Sequence, residues 1–132
     1  VFDSFNRIKN SIFLLNEVLS NIEANKKKMN NLSNVGYITS TDFADYLVKN
    51  LDYPFRKAYN TTAKLVNYCE KSKKTFKELT FEEIVKIDKK IDIDVMRIFD
   101  LKYSVNSKKS YGGTSFENIK KMIKKVKKEI KW

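Results

Sequence analysis

Histidine is absent from this 132-residue sequence, and cysteine and proline occur once each. Without histidine, the chain lacks the commonest metal ligand and the commonest acid–base group at neutral pH. The single cysteine, Cys69, excludes an intramolecular disulfide and a cysteine cluster for zinc. Because no base stands near Cys69 in the sequence, we expect it to be a small core residue. We therefore expect no metal and no cofactor.

Turn residues, long apolar runs and arginine are also scarce. Three glycines and one proline are too few for a β-sandwich or barrel, so a helical domain is favoured. No apolar run approaches the ~18 residues of a membrane span, and no charged-then-apolar leader opens the chain. We expect a reduced, cytoplasmic protein without a membrane partner. The net charge of +11 comes almost entirely from lysine. Nucleic-acid binding is disfavoured, because phosphate and base recognition relies on arginine.

The opening segment has the most regular apolar pattern in the chain. Its apolar residues recur at steps of three and four, and they are Phe5, Ile8, Ile12, Leu15, Leu19 and Ile22. This spacing is typical of a bundle or coiled-coil seam. The pattern is already present at Val1 without a capping signal before it, so we expect the segment to be the end of a longer helix. Because such a seam needs a partner, we expect self-association through it.

Capping signals divide the rest of the chain into short helices. Asn25 predicts a short helix that residues 34–36 end, and Asp92 predicts another over residues 93–99. Three capping boxes predict further helix starts, and they are Thr39-x-x-Asp42, Thr80-x-x-Glu83 and Thr114-x-x-Glu117. The helix after Thr39 should reach about Lys49 and bury Phe43 and Leu47. We expect residues 101–111 to be an irregular connection.

Two longer helices follow from apolar periodicity. Pro54 predicts the start of a helix that reaches about Lys71, with one apolar face formed by Phe55, Ala58, Thr62, Leu65, Val66 and Cys69. The last helix has an apolar face and a lysine face. Its apolar residues are Phe116, Ile119, Ile123, Val126 and Ile130. A basic amphipathic helix can bind a membrane or a nucleic acid, but the regular seam favours a helix that packs on a core.

Few residues offer chemistry of their own. The loop Gly112-Gly113-Thr114-Ser115 precedes a helix and could cradle an anion, but it lacks the spacing of a phosphate-binding loop. We therefore favour an ordinary turn there. Asp42 and Asp45 share one side of a helix, where we expect Asp42 in the capping box and Asp45 in a salt bridge. The serines have no histidine to activate them.

Three segments together resemble the argininosuccinate lyases. Residues 36–48, GYITSTDFADYLV, are similar to the family's ATDLADYLV, and residues 53–58, YPFRKA, resemble its PFR-x-A. Asp94-Val95 and residues 104–114, SVNSKKSYGGT, resemble its D-V and SVN-x-R-x-S-x-GGT. Tyr59, Ala63 and Lys108 stand where the family usually has His, Gly and Arg. We expect a structural role for the motif positions Thr41, Asp42, Asp45, Tyr46, Pro54, Phe55, Arg56, Ser104, Val105, Gly112, Gly113 and Thr114.

The resemblance implies a fold and a reaction for the parent protein. Argininosuccinate lyases are homotetramers around a helical bundle and split argininosuccinate into arginine and fumarate, a step of arginine biosynthesis. Their catalytic serine loop, GSS-x-MP-x-K-x-NP, has no counterpart in this chain, and their substrate-contacting residues would precede it. The resemblance thus implies no catalytic, substrate-binding, cofactor-binding or metal-binding residue here, and the chain alone should be inactive.

The sequence therefore predicts an all-α fold in two parts. Residues 1–34 would be the C-terminal end of a central helical-bundle domain, and residues 35–132 a small multi-helix C-terminal domain. Two alternatives stay open. One is a basic helical module that binds an acidic partner or a nucleic acid, and the other is a non-catalytic paralogue that keeps only the scaffold.

Overall fold

The computed structural model describes residues 2–33 and 35–130, and in that part the chain is helical without a strand. The predicted all-α fold class is thus confirmed. The chain divides into two units, Val1–Leu32 and Ser33–Trp132. The assignment of residues 1–34 to a bundle domain and 35–132 to a C-terminal domain stays a prediction. The pattern start at Val1 and the predicted helix break at Asn34 lie outside the described residues.

The first unit contains helix α1, Phe2–Ser20, and most of helix α2, Lys26–Ser33. The seam residues of α1 are 61–65% exposed, and neither helix has a buried residue. Ile22 lies beyond the end of α1, so the predicted seam extends two residues past the helix. Asn25 accepts a hydrogen bond from the Lys28 N–H at 2.9 Å, which confirms the predicted cap of α2.

The second unit contains the remaining helices. They are α3 (Ser40–Leu51), α4 (Phe55–Ser72), α5 (Phe81–Ile87), α6 (Leu101–Ser107) and α7 (Phe116–Glu129), with 3₁₀ helices at Phe76–Glu78 and Ile93–Phe99. Helix α3 packs against α4 and against the second 3₁₀ helix, while α5 packs on α4 and α6 on that 3₁₀ helix. Asp52 ends α3 in a left-handed conformation with φ 53°, and Pro54 directly precedes α4.

The core of this unit forms between α3, α4 and the two 3₁₀ helices. Phe43 and Leu47 of α3 are fully buried, as their spacing of one helical turn predicts, and so is Leu65 of α4. Phe99 packs against Phe43 and Phe76, with ring centroids 5.8 and 4.9 Å apart. Each fully buried side chain of this size contributes about 1.5–3 kcal/mol of transfer free energy. This core holds α3 and the second 3₁₀ helix in place.

Of the three predicted capping boxes, only the one at Thr80 is present. The Thr80 hydroxyl accepts from the Glu83 N–H at 3.4 Å, and Glu83 accepts from the Thr80 N–H at 3.0 Å. The box at Thr114 is wrong, because Ser115 caps α7 instead and accepts from the Asn118 N–H at 3.3 Å. The sequence alone does not show which of the two adjacent hydroxyl residues, Thr114 or Ser115, caps the helix.

The box at Thr39 is also wrong. Thr39 precedes α3 with φ −83° and ψ 9°, and its side chain accepts no capping hydrogen bond. A capping hydroxyl normally requires an extended N-cap residue, and the Thr39 side chain is instead buried at 3% exposure. The Asp42 carboxylate, expected to complete the box, binds residues of α6 and its end instead.

Three further expectations are corrected. The segment expected to be irregular contains α6, because Asp100 caps that helix by accepting from the N–H groups of Lys102 and Tyr103. Phe55 does not share the buried face of α4, since it lies in the first turn and is 71% exposed. The apolar face of α7, expected to pack on a core, is 38–57% exposed, because no other described element covers it.

Candidate functional site

A polar cleft gathers four of the motif positions of the second unit. It lies where α3, the 3₁₀ helix Ile93–Phe99 and α6 meet, and its volume is about 270 Å³. Asp42, Asp45 and Tyr46 reach it from α3 because residues three and four apart share one side of a helix. Ser104 reaches it from α6. Segments 62 residues apart in the sequence therefore meet in one place.

The Asp42 carboxylate is the centre of this cleft. Its Oδ2 accepts from the Ser104 hydroxyl, and its Oδ1 accepts from the Lys108 ammonium. The Asp42 side chain is 14% exposed and that of Lys108 is 46% exposed. Charge-assisted hydrogen bonds of this kind are stronger than neutral ones. They join the first turn of α3 to α6 and to the residue that follows it.

Tyr46 and Asp92 form a second connection from α3. The Tyr46 side chain is 7% exposed, and its hydroxyl donates to Asp92 Oδ1 at 2.8 Å. Burial, together with this hydrogen bond, raises the pKa of Tyr46 to about 12. The phenol is therefore neutral at physiological pH and acts as a donor. The same Asp92 oxygen accepts from the Asp94 N–H at 2.9 Å, which confirms the predicted cap of the 3₁₀ helix.

The remaining charges of the cleft pair locally near its rim. Asp45 lies 3.6 Å from Lys49, and Asp94 lies 3.5 Å from Arg97. These side chains are 57–73% exposed, so each pair contributes little to stability. The pairing of Asp45 agrees with its expected salt bridge. Each carboxylate of the cleft thus binds a nearby side chain, and the Ser104 hydroxyl donates its hydrogen bond to Asp42, which is already ion-paired with Lys108. The arrangement connects helices and presents no nucleophile with a free base.

The Gly112-Gly113 turn is fixed against Lys108. Gly112 has φ +77°, a conformation that favours glycine. A Cβ added at Gly113 would lie 2.3 Å from the Lys108 carbonyl oxygen. That same oxygen accepts from the Ser115 N–H at 3.2 Å, and the Gly113 N–H donates to the Ser110 carbonyl at 2.8 Å. These N–H groups have protein partners, which supports a structural turn rather than an anion cradle.

The other motif positions lie away from the cleft. Thr41 is exposed in the first turn of α3, Val105 is half-buried in α6, and Thr114 is exposed before α7. Pro54 lies at the N-cap of α4. Phe55 and Arg56 follow it and are exposed.

The polar contacts of Lys108 and Glu83 were not anticipated from the sequence. Lys108 was noted only as a replacement for arginine, yet it is the ion-pair partner of Asp42. The available signal was that position 108 is basic both in the family motif, as arginine, and in this sequence, as lysine. Glu83 accepts from Lys74 at 2.6 Å and from the Tyr68 hydroxyl at 2.7 Å, in addition to its capping role. Lys74, the Thr80 N–H and the Tyr68 hydroxyl lower the pKa of Glu83 to about 2.

Cys69 is a core residue, as predicted. It is fully buried in α4, and burial raises the pKa of its thiol to about 11. Within residues 2–33 and 35–130, no three acidic or cysteine side chains lie together as a potential metal site. Among the helices described there, none is long and apolar enough to cross a lipid bilayer.

The fold and the cleft define an all-helical domain in which Tyr46 and Asp42 of α3 bind Asp92, the cap of the second 3₁₀ helix, and Ser104 of α6. A sequence model of the argininosuccinate lyase C-terminal family matches residues 37–106, more than half of the chain, and the chain belongs to this family. The argininosuccinate lyase of Pelagibacter ubique is 60% identical over 106 residues, or 80% of this chain. Those of a Nitratiruptor species and of Ehrlichia chaffeensis are 42% and 40% identical over the same length. The chain spans about 23% of the length of these relatives.

Proposed function

We propose that this chain is the C-terminal part of an argininosuccinate lyase, a C–N lyase that cleaves argininosuccinate to arginine and fumarate. The observation that carries the proposal is the 60% identity over 106 residues to the Pelagibacter ubique enzyme. Identity at that level, together with all three motif segments in order, supports a shared parent activity. The parent would act in arginine biosynthesis in the cytoplasm.

In the parent enzyme, this chain has a structural role rather than a catalytic one. In the cleft the Ser104 and Lys108 side chains both donate to the Asp42 carboxylate, which supports a scaffold role. The groups that abstract the proton and bind the substrate would come from the rest of the polypeptide. We therefore expect the isolated chain to be inactive.

The seam of α1 supports an assembly role. Its apolar residues are exposed along the helix, and an apolar stripe of this kind in water favours association. We propose that this seam belongs to the bundle of a homotetrameric parent and that the isolated chain self-associates through it.

The activity can be tested with a chimeric enzyme. The 106-residue matched segment of the Pelagibacter ubique lyase is replaced with the corresponding residues of this chain. We expect the chimera to release fumarate from argininosuccinate, measured by ultraviolet absorbance, at a rate near that of the unmodified enzyme. The isolated chain is the control and should release none. A folded chimera without activity would contradict the proposal.

Self-association can be tested by sedimentation velocity over a range of concentrations. Leu15→Glu places a charge in the seam and should shift the chain to a monomer, because a charge in an apolar interface is costly. Ile93→Glu is the matched control, since Ile93 is also about 60% exposed but lies outside α1. A wild-type chain that stays monomeric at high concentration would argue against the seam.

A further inference from the structure

The first turns of α4 carry an exposed group that we name the α4 patch: Phe55, Arg56 and Tyr59. Phe55 is 71% exposed and Tyr59 is 63% exposed. They lie one helical turn apart and so share a side of the helix. Among the described residues, the Arg56 guanidinium has no ion-pair or hydrogen-bond partner. Two aromatic rings and an arginine are thus exposed to water in the first two turns of α4.

These side chains lie outside the buried core of the chain. Pro54 sets the start of α4, and the buried face of the helix is built from Ala58, Leu65 and Cys69. Phe55 instead leaves a large apolar surface exposed, which is unfavourable in water. Aromatic and arginine side chains are the residue types that contribute most to protein interfaces. The α4 patch therefore has the composition of a contact surface.

The charge around the α4 patch indicates the chemistry of its partner. Between Asp52 and Glu70 the sequence has no acidic residue, while Arg56, Lys57 and Lys64 are basic. Lys57 lies over the Tyr53 ring, with Nζ 3.6 Å from its centroid. Two copies of this patch facing each other would bring like charges together, which disfavours a second copy of the chain. A partner surface with a carboxylate is favoured, because arginine binds carboxylates in a bidentate geometry.

The size of the relatives indicates where that partner lies. The chain spans about 23% of their length, so most of a lyase polypeptide lies outside it. Resting on the proposed function, we propose that the α4 patch docks on this remaining part of the argininosuccinate lyase. The partner surface offers an apolar socket to Phe55 and Tyr59 and a carboxylate to Arg56. The patch thereby fixes this helical domain to the rest of the enzyme.

The test compares the same substitutions in two settings, the isolated chain and the chimeric enzyme. The triple variant Phe55→Ala, Arg56→Gln and Tyr59→Ala should lower the unfolding midpoint of the chimera by about 5 °C or more. It should change the unfolding midpoint of the isolated chain by no more than about 1 °C. Tyr111→Ala is the matched control, because Tyr111 is 99% exposed and lies outside the patch. This control should leave the unfolding midpoint of both proteins unchanged.

A labelling experiment keeps the proposal testable if the triple variant fails to fold. A thiol placed by Tyr59→Cys should react with an alkylating reagent at least ~10-fold more slowly in the chimera than in the isolated chain. The buried Cys69 should not interfere, and Tyr111→Cys should react equally in both. Arg56→Gln, which removes only the charge, should give a smaller loss of midpoint in the chimera alone.

The outcomes separate this inference from the proposed function. Equal midpoint losses in both proteins would show that the patch serves folding, and equal labelling would show that it stays exposed; either overturns the inference. Protection of Tyr59→Cys in the isolated chain at high concentration would assign the patch to self-association and also overturn it. An inactive chimera with a protected patch would contradict the proposed function alone, whereas an active chimera with an exposed patch would contradict the docking alone.

Discussion

Helices α4 and α7 have similar apolar patterns and opposite surroundings. In α4 the apolar face contains Leu65 and Cys69, which are fully buried. In α7 the equivalent residues, such as Ile123 and Val126, are about half exposed. Both sequences place apolar residues at steps of three and four, so periodicity does not separate them. An amphipathic pattern predicts that a face will be covered, but it does not say whether the same chain covers it.

The largest expected effect contrasts one residue from each helix. Leu65→Ala in α4 should destabilise the chain by about 2–5 kcal/mol, because it removes buried methyl groups and leaves a cavity. Ile123→Ala in α7 should change stability by less than about 0.5 kcal/mol, because that side chain is already half in water. Urea unfolding of the isolated chain, followed by far-ultraviolet circular dichroism, measures both.

The opposite result would break the comparison between the two helices. If Ile123→Ala were as destabilising as Leu65→Ala at low protein concentration, the α7 face would be covered within one chain. Unfolding midpoints that rise with protein concentration would instead show that another copy covers it. The concentration series is therefore part of the measurement.

The local expectations that held depend on neighbouring residues alone. Asn25 and Thr80 were recognised as caps because a capping side chain binds N–H groups two or three residues ahead. The core position of Leu47 followed from its spacing to Phe43. These features are set by the backbone of one helix, so the sequence is sufficient to predict them.

Three of the expectations that failed, those for Asp42, Phe55 and the α7 face, depend on residues outside the helix concerned. Asp42 was placed in a capping box because Thr39 precedes it, but Ser104 and Lys108, more than 60 residues away, bind it instead. Phe55 and the α7 face were expected to be buried, yet what would cover them is not among the described residues. The cleft could be anticipated only through the family motifs, and its Asp42–Lys108 ion pair could not.

A second comparison concerns two acids of α3, the mostly buried Asp42 and the exposed Asp45. Asp42→Asn removes the charge that binds Lys108 and should cost about 1–2 kcal/mol, near the lower range for charged hydrogen bonds because Lys108 is half exposed. Asp45→Asn makes the same chemical change one turn away and should cost less than about 0.5 kcal/mol, since its pair with Lys49 is exposed. Urea unfolding at neutral pH compares the two.

The double variant sharpens this assignment. If the Asp42–Lys108 pair carries the effect, Lys108→Met should cost little more when Asp42→Asn is already present. Lys108→Arg should keep the stability, because arginine can bind the same carboxylate. If the stability loss of the double variant equalled the sum of the two single losses, the two side chains would act independently.

A third contrast concerns pH and the acids Glu83 and Glu117. Lys74 and two further donors lower the pKa of Glu83 from 4.5 to about 2, and Lys121 lowers that of the exposed Glu117. An acid with a depressed native pKa stabilises the fold above its unfolded value and loses this contribution as the pH falls through the native one. The contribution of Glu83 should therefore be complete above about pH 4.5 and disappear as the pH approaches about 2.

Substitution by glutamine, which does not titrate, isolates this contribution. Glu83→Gln should have a lower urea midpoint than the wild type at neutral pH, and the difference should shrink as the pH falls below about 4.5. Glu117→Gln should stay close to the wild type throughout, because its pair with Lys121 is more than two-thirds exposed. Comparing differences removes the titration of the other acids, which all three proteins share. If the difference in urea midpoint between the wild type and Glu83→Gln did not depend on pH, Glu83 would act through packing or capping rather than through its charge.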